Sequence, residues 1–513
     1  MNQNNQELQD LVFGMNPLDK IVSIETNGDK LVVFQQQDDG SISILEDDNT
    51  FWILTNNKVS SKQEELDGNQ HYKYIAKFRT AKERNDVVSK LKKSGVDYYR
   101  IYDAKEQSLV FQGLTYFKGL TPKDVSILSF DIETTGLLHN DDAKILLISN
   151  TYRNGDKIER KLFAYDEFKS QKHMIDEWCL WVRQMDPTIM CGHNVMGFDI
   201  PYMQYIARSS GTYLRLGRDG STIQFDKWES SFRKDGSQDI EYTNCHIYGR
   251  EIVDTMFLSY KYDIARNFVS YGLKPIIKQL GLEKQDRTFV DSAQIRFEYK
   301  NPATWALIKQ YAIEDADDSL KLYDLMIPSI FYFTQNVSKS FQAMCATATG
   351  SQMNNIMVRG YLQQNHSIAK GDESVPFEGA ISWAKPGIYR NCVRWDAAGL
   401  YPSIMRQHKI YSAKKDPKKY FLLITDYFAL ERLKNKQLAK ETGNQYYKDL
   451  EQSQKIGANS LFGFLGAPGL NYNYPDGASL ITRKGRELLN KMIIWATGKN
   501  YEELKTEVID HEP

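Results

Sequence analysis

The stretch VSILSFDIE, residues 125–133, is apolar along most of its length and then carries Asp131 and Glu133 two positions apart. Such a run reads as a buried strand, on which residues i and i+2 share a face. Two carboxylates at the end of a buried strand are costly unless cations meet them. The Asp-x-Glu tripeptide by itself says little, since it recurs at Asp239, Asp449 and Asp510, the first as Asp239-Ile240-Glu241. Only the copy at 131 ends an apolar strand, so the chain has to build a sheet that delivers paired negative charge to one edge of its core.

The surrounding pattern supplies that sheet. AKILLISNTY reads as an adjacent strand, QKHMIDEWCLWVRQM as an amphipathic helix and TIMCGHN as a short strand, an alternation expected of an α/β unit. Residues 20–78 alternate short apolar runs with Gly, Asp and Asn clusters, the rhythm of a β-rich domain, and residues 79–97 carry helical spacing. Residues 217–247 read as an inserted hairpin or loop, 302–363 as mostly helical and 376–405 as a return to strand. Residues 414–458 read as a helical hairpin turning near Thr442-Gly443-Asn444. At 513 residues one core is too small, so the expected fold class is α/β multidomain.

With 41% hydrophobic and 26% charged residues the chain has an ordinary globular composition. No apolar run reaches the roughly 18 residues of a membrane span, and the start MNQNNQELQD is polar, so the expectation is a cytoplasmic protein with no membrane contact. A net charge of -1 argues against a uniformly basic coat but leaves room for local grooves that bind nucleic acid. The five cysteines lie far apart with no C-x-x-C pair, as expected of buried free thiols in a reducing compartment.

Two further acids follow the first pair. Asp199 lies in CGHNVMGFDIPYM behind a short strand, and Asp315 lies in YAIEDADDSLKLYD on a predicted helix, with Tyr311 one turn earlier on the same face. Singly, Asp199 reads as a turn residue and Asp315 as a surface acid beside Asp317 and Asp318. Together, four carboxylates and an aligned tyrosine suit a two-metal phosphodiester hydrolase, in which one ion activates water and the other stabilises the leaving 3' oxygen. Oxygen-only ligands make Mg2+ the default ion, and Mn2+ fits the same set.

The ordered set FDIETTG, HNVMGFDIPYM and YAIED resembles the three exonuclease motifs of family B DNA polymerases, and GREIVDTMFLSY followed by SYGL is similar to the segment linking them. The resemblance implies an RNase H-like 3'-5' exonuclease domain in which Asp131, Glu133, Asp199 and Asp315 hold metal ions and Tyr311 positions water. His193 stands where many members carry tyrosine. FEGAISWAKPGIYRNCVRWDAAGLYPSIM is similar to the family's motif A and the stretch leading into it. That implies a palm site in which Asp396 and the Ala397 carbonyl bind metal, Leu400 borders the nucleotide and Tyr401 lies under the deoxyribose to exclude a 2'-hydroxyl. QKIGANSLFGFLG resembles motif B, with Phe462 for the usual tyrosine; Lys455 and Asn459 share one helix face, and Arg432 and Lys436 share one on the facing arm. Such cations suit a deoxynucleoside triphosphate. Gly399 replaces a usual serine, and Phe377-Glu378-Gly379-Ala380 approximates a Tyr-x-Gly-Gly element.

In the family, an Asp-Thr-Asp turn and a thumb follow; neither is found within residues 1–513, and Asp510 lies in no apolar hairpin. The resulting expectation is the large part of a naturally split polymerase of the kind found among large tailed bacteriophages. A second polypeptide would supply the remaining palm acids and thumb, cover an open palm-sheet edge and the apolar surface of KMIIWA, and lead to a sliding clamp. Expected domains are 1–112 β-rich, 113–335 exonuclease, 336–375 helical return, 376–413 palm, 414–458 fingers and 459–513 second palm segment. The alternatives are a stand-alone 3'-5' exonuclease whose palm only grips primer-template DNA, and a scaffold whose acids no longer bind metal.

Overall fold

The computed structural model describes residues 3–233, 239–373, 375–382, 384, 387–394, 396–397 and 399–509. Its centre is a five-stranded mixed sheet made of β1 (Ile127–Thr134), β2 (Ile145–Asn154), β3 (Lys157–Ala164), β4 (Ile189–Gly192) and β5 (Glu251–Asp254), in the order β3-β2-β1-β4-β5. β1 pairs antiparallel with β2 and parallel with β4, the adjacency expected from the two apolar runs. Helix α1 (Gln171–Met185) spans the amphipathic segment read from sequence, starting where the Ser170 hydroxyl accepts the His173 N–H. It packs with α2 (Ile200–Ser209) on one face of the sheet, where Leu128, Phe130 and Ile132 meet Trp178 and Met203.

The alternate residues of β1 face the other way. There, α3 (Thr255–Tyr262) and α4 (Leu273–Gln279) precede α5 (Pro302–Thr334), which crosses the sheet, and the Ser129 hydroxyl donates to the Ala316 carbonyl at 2.8 Å. The two-residue period of a strand therefore sends Asp131 and Glu133 to the face covered by α5. The insertion at 217–247 forms the hairpin Ser230–Arg233 with Asp239–Tyr242, in which Asp239 and Glu241 are exposed, as expected of a solvated pair.

Residues 21–99 form a three-stranded and a four-stranded antiparallel sheet, in accord with the β-rich pattern. Their apolar side chains share one core with the C-terminal half of α5 and with residues beyond it; Phe117 stacks on Phe331 at 4.2 Å. Residues near 366–368 return to bridge Asp67 and Tyr72. Past them lie α6 (Leu400–Gln407), α7 (Tyr420–Thr442), α8 (Gln445–Gly466) and α9 (Pro475–Thr497). α7 and α8 form the expected hairpin, closed by Gly443 in the left-handed conformation at φ 66° and by Asn444, whose side chain accepts the Tyr446 N–H.

Three expectations change. Residues 376–405 contain no strand among the described residues; Asp396 lies outside regular structure and is exposed, and 400–405 are helical. A strand is held by its neighbours, and no described segment of this chain lies alongside to pair with it. For the same reason there is no palm-sheet edge among the described residues. Of the five cysteines, four are buried as expected but Cys392, in that unpaired stretch, is exposed. The KMIIWA segment does present apolar surface, with Ile494 and Trp495 exposed on α9. No helix of the described residues is long and apolar enough to cross a membrane. Asp510 lies outside the described residues.

Candidate active sites

β1 ends where α5 crosses it, and one carboxylate oxygen from each of Asp131, Glu133 and Asp315 lies within 4.8 Å of the others. Asp199 reaches the same place differently. Asn194 takes the left-handed conformation at φ 63°, a single π turn (Val195–Asp199) follows, and the Asp199 carboxylate accepts the Ile132 N–H at 3.1 Å, between the two β1 acids. A Cβ at Gly197 would sit 2.3 Å from the Asn194 side-chain oxygen, so a larger residue there would push that side chain aside. Tyr311 is buried on α5 one turn before Asp315. The four acids and the tyrosine named from sequence thus meet at one sheet end.

The structure adds three groups that sequence reading passed over. Lys274, at the start of α4, places Nζ 3.5 Å from Asp315 Oδ2 and 4.0 Å from the Tyr311 ring centre. Arg287 donates to Asp315 from the loop before α5. Asp254 is buried at the end of β5 and accepts the N–H groups of Asn194 (2.9 Å), Met196 (3.1 Å) and Met256 (2.9 Å), so it pins the turn that carries Asp199. Desolvation moves the Asp254 carboxyl up to about 6, while those amides oppose the rise. His193 is half-buried; its ring contacts the Thr255 hydroxyl at 3.0 Å and the Tyr271 carbonyl at 2.8 Å, which accounts for it as a packing residue. The signal for Lys274 was its position directly after SYGL; Arg287 carried none.

Burial dominates the electrostatics of the acids. Desolvation, then Asp199, Asp315 and Glu133, hold the Asp131 carboxyl well above its ordinary value. Glu133 is pushed up to about 8 by desolvation and Asp315, and Asp199 to about 8 by desolvation against the Ile132 amide. Desolvation raises Asp315 also, opposed by Lys274 and Arg287. Clustered oxygen ligands that resist ionisation without a countercharge fit hard divalent cations such as Mg2+ or Mn2+.

Because Glu133 and Asp199 ionise near pH 4 when unfolded but near 8 when folded, the metal-free protein should lose stability as pH rises through that window. A divalent ion needs the ionised forms and should restore the loss at its upper end. Thermal melting near pH 6 and near pH 8, in EDTA and in Mn2+, checks this. Melting temperatures that ignore both pH and ion would contradict it.

The second constellation is looser. Asp396, Ala397, Leu400 and Tyr401 line a cavity of about 210 Å3 with Thr482, Gly485 and Leu489. Tyr401 lies at the start of α6, its ring 4.5 Å from Phe462. Gly399 begins that helix at φ 61°, a left-handed conformation that strains a serine. Of the cations on α7 and α8, none lines that cavity, but the Arg432 guanidinium lies beside Gly399 next to it. Arg432 pairs with Glu451 at 2.8 Å and Lys436 is exposed. Lys455 and Asn459 line a different cleft, of about 590 Å3, between α8 and the helices α3 and α5.

Residues 101–276 match the family described as "DNA polymerase family B, exonuclease domain". The "DNA polymerase" of Thermococcus gorgonarius is 22% identical over 421 residues, covering 73% of this chain and 52% of that protein. The "DNA polymerase delta catalytic subunit" of Schizosaccharomyces pombe is 24% identical over 429 residues, covering 71% of this chain and 39% of its own length. The chain spans about half the length of the archaeal relative. The solved family B DNA polymerase from Pyrobaculum calidifontis superposes with a TM-score of 0.74 at 17% identity, over 92% of this chain and 71% of that one. The chain therefore has a family B polymerase fold over most of its length, with an exonuclease domain in it.

Proposed function

We propose that this chain is a 3'-5' exodeoxyribonuclease dependent on Mg2+ or Mn2+, and that it works as the proofreading and nucleotide-binding part of a family B DNA polymerase. The observation that carries the nuclease reading is the convergence of Asp131, Glu133 and Asp315 within 4.8 Å at the end of β1, with Asp199 hydrogen-bonded between the first two. Asp131, Glu133, Asp199 and Asp315 would hold the ions. Ions bound there would lower the pKa of the attacking water and neutralise the leaving 3' oxygen. The protein's own part is to fix these oxygens on rigid elements, to keep Tyr311 one helical turn from Asp315 for orienting water, and to spread positive charge from Lys274 over both.

The polymerase reading rests on Asp396, Ala397, Leu400 and Tyr401 sharing one cavity. Primer-template DNA and deoxynucleoside triphosphates would be its substrates, with Arg432, Lys436, Lys455 and Asn459 drawn to the triphosphate when α7 and α8 move. Asp396 is the lone carboxylate of that cavity among the described residues, and in this reading the palm acid it lacks is supplied by a further segment or by a second polypeptide. The test is the full chain with Mg2+ and a 5'-labelled primer carrying a single-stranded 3' end. Stepwise shortening is expected, falling steeply with salt. An intact primer in both Mg2+ and Mn2+ would sink the nuclease reading.

A further inference from the structure

We infer that Arg287 is a positioning residue of the nuclease centre, a fixed clamp that aims the Asp315 carboxylate at the metal position; this rests on the metal-dependent reading above. The Arg287 side chain is 2% exposed. One arm donates to Asp315 Oδ1, and Nε donates to Asp318 Oδ2 at 2.8 Å. Asp315 and Asp318 stand three residues apart on α5, so one planar guanidinium spans both. The Asp318 side chain is itself 2% exposed and also accepts from Lys321 Nζ at 2.7 Å. The loop under Arg287 is tied down too: the Thr288 N–H donates to Glu314 Oε2 at 2.7 Å, and the Arg287 N–H donates to the Lys284 carbonyl.

Two cations thus face Asp315, and they differ in freedom. Lys274 is 36% exposed at its side chain and can withdraw to solvent when an ion arrives. Arg287 is buried against both its carboxylates, and leaving would strand its guanidinium in the core and leave Asp318 to Lys321 alone. With Oδ1 held by Arg287, Oδ2 faces the retractable Lys274 at 3.5 Å and is the oxygen that can be given up to an ion.

The clamp and a simple countercharge make opposite predictions. A countercharge competes with the ion, so removing it tightens metal binding. A clamp supports the ligand, and losing such outer support costs roughly tenfold or more in metal affinity. Mn2+ binding to the full-length chain, followed by electron paramagnetic resonance near pH 8, separates them. Arg287→Met and Asp318→Asn should each weaken Mn2+ about tenfold, Arg287→Lys should recover part of the loss, and the Met/Asn pair should be no worse than Arg287→Met alone. Asp318→Asn keeps the Arg287 charge and decides the matter if Arg287→Met does not fold. Unchanged or tighter Mn2+ binding in folded Arg287→Met, or wild-type affinity in Asp318→Asn, overturns the clamp. Failure of the wild-type chain to bind Mn2+ would instead remove the nuclease reading on which it stands.

Discussion

Replacing Asp131 and Glu133 together by alanine should lower 3'-end hydrolysis by about a thousandfold or more while leaving the protein folded and, without metal, more stable. The loss follows from geometry. Two of the three carboxylates that converge within 4.8 Å disappear, and with them the means of holding an ion that moves the pKa of water from about 16 to about 7. A thousandfold is about 4 kcal/mol of transition-state stabilisation, a modest share of what such an ion contributes. The gain in stability follows from burial. Desolvation raises both carboxyls, Glu133 to about 8, so near pH 8 the wild-type fold holds them against the cost of ionisation. The variant should melt a few degrees higher in EDTA near pH 8, on the order of 2–4 °C per kcal/mol relieved where a unit of roughly 200 residues melts cooperatively, and this advantage should shrink severalfold near pH 5 and vanish when wild type is given Mn2+. Rates on labelled primer and paired melting scans check both halves. A variant that loses activity and stability together would mean the acids serve the fold and not the ions.

Primer extension by this chain alone should be undetectable, at least about a thousandfold below that of the chain complemented with the missing palm acids. Two ions between a triphosphate and a primer end need several anionic oxygens held in line. Asp396 offers one carboxylate, exposed and outside any strand, and no second acid lines its cavity among the described residues. The remedy is structural as well as chemical. A fragment that brings a carboxylate on a strand beside residues 376–399 would give that segment the neighbour it lacks, and would cover the exposed Ile388 and Val393. Extension assayed with and without such a fragment, and with Asp396→Asn in its presence, tests this. Robust extension by the chain alone would show that some acid within residues 1–513 completes the palm.

Much of the acidic centre is legible in the amino-acid order. The apolar period of 125–133 places two carboxylates on one strand face, helical spacing puts Tyr311 over Asp315, and the Thr442-Gly443-Asn444 break marks the turn between α7 and α8. These are local properties, set by backbone period and by residues such as glycine that tolerate a left-handed turn. Among the described residues of 376–405 the expected strand does not form, because its apolar alternation describes what would pair with a sheet, and pairing is not local.

What sequence alone determined is the list of acids that meet at the end of β1: Asp131, Glu133, Asp199 and Asp315, each held to its element by short-range pattern. What tertiary structure decided is their electrostatic setting. Lys274 and Arg287 come from segments 41 and 28 residues before Asp315, and Asp254 from the far edge of the sheet. Beyond the position of Lys274 directly after SYGL, no spacing announces these pairings, because charges pair across space wherever packing leaves a buried carboxylate without water.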